Sequence, residues 1–96
     1  MRVIYASRAA NDFVDIIAFG IETWGEAASR HYVDHLEQAI ARLGVYPKLG
    51  RPSDYAGRRV RQFSAGAHVA YYEIGSDAVT ILRILHASQD PKLHVT

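Results

Sequence analysis

Five side chains in the second half of this sequence could do phosphoryl chemistry if a fold brought them together: Arg61, His68, Tyr71, Arg83 and His86. An arginine can stabilise the charge of a phosphorane-like transition state, and a histidine or tyrosine can move protons, so the set has the parts for RNA cleavage. His31 and His35 stand four residues apart in a stretch that reads as helix, a spacing that can hold a metal ion. The zincin pattern needs Glu after its first histidine, but Tyr32 stands there and no third ligand is evident. The pair therefore reads as a solvated helix face, and neither a metal nor a cofactor is expected. The serines sit in no nucleophile motif, and "AGRRVRQ" lacks the glycines and lysine of a phosphate-binding loop.

Whether the five candidates meet depends on the elements that carry them. "VIY" at Val3 to Tyr5 is a short strand of β-formers, and Ser7 offers a helix N-cap behind it. Ala9, Phe13, Ile16, Ile17, Gly20, Ile21 and Trp24 recur at helical spacing, which predicts a helix from about Arg8 to Thr23. Gly20 would weaken that helix unless it permits close packing or marks a frayed end. Gly25 breaks the chain. A second stripe follows at Ala28, Tyr32, Leu36, Ala39, Ile40 and Leu43, ended by Pro47, and the two helices make an antiparallel hairpin. "YPKLGRPSDYAG" reads as a loop. The period then changes to two, giving strands at "RRVRQF", "HVAYYEI" and "VTILRILH", the last pair joined by the hairpin turn "GSDA". The expected fold is α+β, in the order β-αα-βββ, with a helical hairpin packed on one face of a small, mostly antiparallel sheet. Residues 1–96 form one domain in this reading.

With Ser76 and Asp77 as turn residues, Ile74 faces Val79 and Ala70 faces Arg83. One sheet face then carries His68, Ala70, Tyr72, Ile74, Val79, Ile81, Arg83 and Leu85. The other carries Val69, Tyr71, Glu73, Thr80, Leu82, Ile84 and His86. The nuclease-type set splits between the faces and does not converge. Both faces are largely apolar and the helices cover only one, so the second needs the tail "ASQDPKLHVT" or a partner. Arg83, placed toward the helices, is tolerable there only as a structural ion pair, with Asp12, Asp15 and Glu37 as candidate partners.

Ninety-six residues, 49% of them apolar, suit one domain and one core. The absence of cysteine excludes disulfides and Cys-ligated zinc. No apolar run approaches a membrane span and "MRVIYAS" is too short for a signal peptide, so a cytoplasmic location is expected. Net charge is +1, but it is unevenly spread. Asp12, Asp15, Glu22, Glu26, Asp34 and Glu37 face only Arg30, whereas Arg42, Lys48, Arg51, Arg58, Arg59 and Arg61 face only Asp54, which suits a positive field on one side.

"SRAANDFVDIIAFGIETWGEAASRHYVDHLEQAIARLGVYPKLGRP" resembles the N-terminal half of the ParE branch of the ParE/RelE toxin superfamily, whose members include plasmid-stabilisation proteins. The resemblance lies in the Ser-Arg-x-Ala start, Trp24-Gly25 at the helical break, Ala28, Tyr32 and Leu36 on the second helix, and Pro47 followed by Gly50-Arg51-Pro52. "VRQFSAGAHVAYYEIG" and "ILRILHASQD" resemble the C-terminal half, so the likeness runs from about Tyr5 to Asp90. It implies the toxin of a type II toxin–antitoxin pair. The ParE branch poisons DNA gyrase and is neutralised by a ParD-type ribbon-helix-helix antitoxin whose C-terminal segment wraps the toxin, in a heterotetramer or larger hetero-oligomer. The RelE branch instead cleaves mRNA on the ribosome, typically with Gly-x-Tyr-Arg-x-x-Tyr on its third strand. Here that run is Gly66-Ala67-His68-Val69-Ala70-Tyr71-Tyr72, with Val69 at the arginine position, and Ala87 follows His86 where that branch places a basic residue.

The resemblance and the residues together favour a non-enzymatic gyrase poison with no specific DNA binding and no membrane association. The expected antitoxin surface comprises Trp24, Arg58, Arg59, Arg61, Val69, Tyr71, Leu82 and Ile84, and target contact falls to His86, Ser88, Asp90 and Lys92. Two alternatives stand beside it: a RelE-type endoribonuclease using Arg61 and His86, and a decayed toxin that only binds its antitoxin.

Overall fold

The computed structural model describes residues 1–89. In chain order the elements are β1 (Arg2–Tyr5), α1 (Ser7–Trp24), α2 (Glu26–Ala41), β2 (Arg51–Tyr55), β3 (Arg58–Ala65), β4 (His68–Ile74) and β5 (Ala78–His86). Short 3-10 turns at Arg42–Gly44 and Pro47–Leu49 lie between α2 and β2. The sheet order is β1-β5-β4-β3-β2, with β1 parallel to β5 and every other pair antiparallel. The helical hairpin lies on one face, as expected, and the architecture is α+β.

The strand-to-helix switch is set by the sheet rather than by a side-chain cap. Ala6 N–H donates to Ile81 O at 2.9 Å, and Ala6 O accepts the first helical bond from Ala10 N–H. Ala6, not Ser7, is therefore the N-cap residue, and no side chain caps this helix. Gly20 marks the helix crossing: a Cβ there would stand 2.5 Å from Ser29 Oγ, which itself donates to Ile17 O at 3.1 Å. Close packing thus explains the glycine. The apolar stripe of α1 is wider than the surface available to cover it. Ala9 and Gly20 are buried, and Phe13 and Ile16 pack on the core, but Ile17, Ile21 and Trp24 remain exposed.

The segment read as a loop contains a fifth strand. Pro52 and the turn residues hid β2, but β2 is the sheet's edge, where a residue without N–H costs no ladder bond on its outer side. A tight turn joins it to β3 through Ala56 (φ 54°) and Gly57 (φ 76°), the twist that suits a two-residue hairpin.

The larger correction concerns β4 and β5. The hairpin turn lies where the sequence put it, with Ile74 opposite Val79 and Tyr72 opposite Ile81. Leu82 is then an extra residue on β5, and the pairing resumes with Tyr71 opposite Arg83, Ala70 opposite Ile84, and His68 opposite His86. A bulge of this kind reverses side-chain parity from that point on. Ile84 therefore joins the core under the helices, with Ala9, Leu36, Ile40, Ala70, Tyr72, Val79 and Ile81. Leu85 joins Val60, Val69 and Tyr71 in a second cluster, against which Tyr55 and Leu82 pack. Tyr55 stacks on Tyr71 with ring centres 5.6 Å apart. The second face is thus buried at these positions, so Val69 and Tyr71 are not open for the expected docking. The tail beyond Gln89, the cover expected for this face, lies outside the described residues.

Candidate functional site

The bulge at Leu82 changes which side chains meet at the C-terminal end of β5. With parity reversed, His86 stands across from His68 on the helix side, their ring centres 5.5 Å apart and nearly perpendicular. Both line an open groove of about 560 Å³ whose other wall is α1, through Asp12, Asp15, Ile16, Phe19 and Trp24. Ala67, Arg83, Ile84, Leu85 and Gln89 complete it. Phe19 and Trp24 are 61% and 51% exposed and meet edge to face at 5.9 Å, so they form an aromatic rim rather than part of the core.

Arg83 fixes the floor. β1 leaves β5 after the pair Tyr5–Ile81, so the edge of β5 beyond it has no strand beside it. Asp12 fills that position. Its Oδ2 accepts from Ile84 N–H at 2.9 Å and from Arg83 Nε at 2.8 Å, and its Oδ1 accepts from Arg83 Nη2 at 3.0 Å. The two side chains are only 10% and 12% exposed. The hydrogen bond to Asp12 is the main reason the guanidinium holds its proton above the usual arginine range. The expected ion pair is present, with Asp12 as the partner. The expected direction was wrong: Arg83 shares its side of the sheet with Tyr71 and contacts Tyr55 Oη at 3.5 Å.

The histidines are held by their neighbours. Tyr32 Oη accepts from Ala67 N–H at 3.0 Å and shares a hydrogen bond of 2.6 Å with His68 Nδ1. Ser88 N–H donates to His86 Nδ1 at 3.1 Å, Ser88 Oγ lies 2.8 Å from the same nitrogen, and Gln89 Oε1 accepts from His86 N–H. In the neutral form the bond from Ser88 N–H leaves the His86 ring proton on Nε2. Burial, with the charge of His86 second, pushes the His68 pKa below the usual imidazole value of 6.5.

The remaining predicted site residues disperse. Trp24 is on the groove rim. Val69 and Tyr71 are 8% and 5% exposed in the second cluster and Ile84 is buried under the helices, so with Leu82 they form no common docking face. Arg58 pairs with Glu73 at 2.9 Å, and Arg59 lies 4.0 Å from Asp54 with most of its side chain in solvent. Arg61 donates to Gly50 O at 3.0 Å and so ties down the loop before β2. His86 and Ser88 are exposed at the groove's end, while Asp90 and Lys92 lie outside the described residues. Sequence reasoning gave no role to Phe19 or Gln89, named Asp15 only as a possible partner of Arg83, and placed His68 on the opposite face from His86. Phe19 carried a signal, since it is a large aromatic off the apolar stripe; the meeting of His68 with His86 carried none, because it depends on the bulge.

The arrangement offers a pre-formed, mostly apolar cleft with an acidic lip and two imidazoles. Its guanidinium is committed to a carboxylate. It suits a docked polypeptide segment better than a phosphate.

The family model described as the ParE toxin of the type II toxin–antitoxin system parDE matches residues 3–91. The chain is 31% identical over 70 residues to proteins described as Toxin ParE1 of Mycobacterium tuberculosis, from strains CDC 1551 / Oshkosh and H37Rv. That match covers 72% of this chain and 71% of each relative. A solved structure described as the chromosomal ParDE TA system from P. aeruginosa superposes with a TM-score of 0.78 at 22% identity, covering 90% of this chain and 95% of that one.

Proposed function

The chain belongs to the ParE toxin family of type II toxin–antitoxin systems, and from that premise we propose that it is a growth-inhibiting protein that binds DNA gyrase and is silenced by a ParD-like antitoxin. The observation that carries the reading is the groove at the end of β5. Phe19, Trp24 and Ile16 give it an apolar wall, and Asp15 gives it an acidic lip. An antitoxin segment with aliphatic anchors and a basic residue fits that lining. The exposed Arg59 offers a second contact, for an acidic stretch. Cytoplasmic action accords with the partners proposed, and no helix among the described residues is long and apolar enough to cross a membrane.

In this proposal toxicity is not catalytic. Val69, at the position where the nuclease branch carries an arginine, is buried in the second cluster. Arg61 is held on the Lys48–Gly50 backbone, at 3.0 Å from Gly50 O and 3.4 Å from Lys48 O. Loss of one electrostatic donor costs about a hundred- to a thousand-fold in rate, and Val69 and Ala87 stand where that branch places two such groups. One observation favours the alternative: His68 and His86 do converge, which the sequence register had denied. Inducing the chain without antitoxin separates the two. A DNA-damage response with cleaved DNA and intact mRNA is the expected result, and ribosome-dependent mRNA cuts would sink the gyrase reading. Silence in both assays would leave the third reading, a toxin reduced to antitoxin binding.

A further inference from the structure

We propose that His31 and His35 form a two-histidine site for a borderline divalent transition metal, such as Ni²⁺ or Zn²⁺, on the outer face of α2. The proposal is independent of the groove and of the toxin reading. Both residues are exposed, one helical turn apart, with ring centres 4.8 Å apart and planes tilted by 44°. Neither ring has a hydrogen-bonding partner among the described residues, so each has a nitrogen lone pair to offer.

The spacing can be compared with what a shared ion needs. A metal lies about 2.1 Å from an imidazole nitrogen, and that nitrogen lies about 1.1 Å from its ring centre, which puts each ring centre about 3.2 Å from the ion. A right-angled N–metal–N arrangement then separates the ring centres by about 4.5 Å, and a tetrahedral one by about 5.2 Å. The observed 4.8 Å falls between them, so the rings stand at chelating distance without the helix having to move.

The surroundings favour a cation. α2 carries Glu26, Asp34 and Glu37 against the single base Arg30, which is already paired with Glu26 at 3.1 Å. Asp34 stands one residue before His35 on the same helix, close enough to add to the local negative field. The open side is a depression of about 350 Å³ between α2 and the turn after β3, lined by Ala28, His31, Tyr32, His35, Ala65 and Gly66 among others. It leaves room for water to complete the coordination. No third His, Cys, Asp or Glu among the described residues completes the set. The described residues thus offer a two-ligand site with an open sphere, and imidazole donors select Ni²⁺, Cu²⁺ and Zn²⁺ over Mg²⁺ and Ca²⁺.

The test is calorimetric titration of the untagged full chain with Ni²⁺, Zn²⁺ and, as a control, Mg²⁺. One Ni²⁺ or Zn²⁺ per chain is expected, with no Mg²⁺ heat. His31→Ala and His35→Ala should each weaken Ni²⁺ at least tenfold, while helical circular dichroism and the metal-free melt stay unchanged. His86→Ala should leave the binding intact. Absence of saturable binding by the parent overturns the proposal. So does binding that survives His35→Ala, or binding that is lost in His86→Ala, which would move the site to the groove.

Discussion

At the scale of single residues, the molecule's most exacting contact is Asp12 with Arg83 and the Ile84 N–H. Removing one partner of a buried pair strands the other, at a cost of about 3–5 kcal/mol. Arg83→Ala is expected to lose that much stability in a urea melt, and any loss of toxicity should follow from unfolding. A variant that melts like the parent yet is inactive would place Arg83 in the functional site instead. Its need for a carboxylate partner was legible from charge and burial logic alone. Its side of the sheet was not, because nothing in "TILRILH" announces that Leu82 is an extra residue. His68 makes a second prediction. Its folded pKa lies below the unfolded 6.5, mainly through burial. Between those two values the unfolded chain binds more protons, so stability rises with pH there. Acidification below about pH 6.5 should therefore lower stability, and His68→Gln should flatten that part of the pH profile in paired melts. An unchanged slope in the variant would assign the effect to another group.

Elements were read more securely than their junctions. Both helices, the break at Gly25 and the final hairpin turn follow from periodicity and from punctuation by glycine and proline. β2 did not, because Pro52 and its turn neighbours look like loop chemistry unless the strand is known to be an edge. The bulge is the costliest omission: two apolar faces leave the alternation almost symmetric, so a one-residue slip carries little sequence signature. It also decided the candidate site, since it brings His86 to His68 and removes Ile84 from the expected docking face. The β2–β3 turn offers a test at this scale. Ala56 sits at φ 54°, where an L-residue with a Cβ is strained and Asn is better tolerated. Ala56→Asn should stabilise the protein by about 0.5–1 kcal/mol without altering partner affinity. A destabilised variant would show that the turn does not hold that backbone geometry.

Across the whole molecule, charge and apolar surface are segregated. The acidic helices carry the aromatic rim at Phe19 and Trp24, and the basic β2–β3 ribbon lies at the far edge of the sheet. Among its arginines, Arg59 is the least committed of those with a described ion pair, so Arg59→Glu should slow association with an acidic antitoxin segment at low salt more than it speeds dissociation. An unchanged on-rate would remove the ribbon from the encounter surface. The central claim is that the partner occupies the groove between α1 and the end of β5. Trp24 is the chain's single tryptophan and stands half exposed on that groove's rim, so it reports directly on the site. Titration with a ParD-like antitoxin that lacks tryptophan should shift Trp24 emission to the blue and shield it from an aqueous quencher, saturating with complex formation. A complex that forms fully while Trp24 emission and quenching stay those of the free chain would contradict the account.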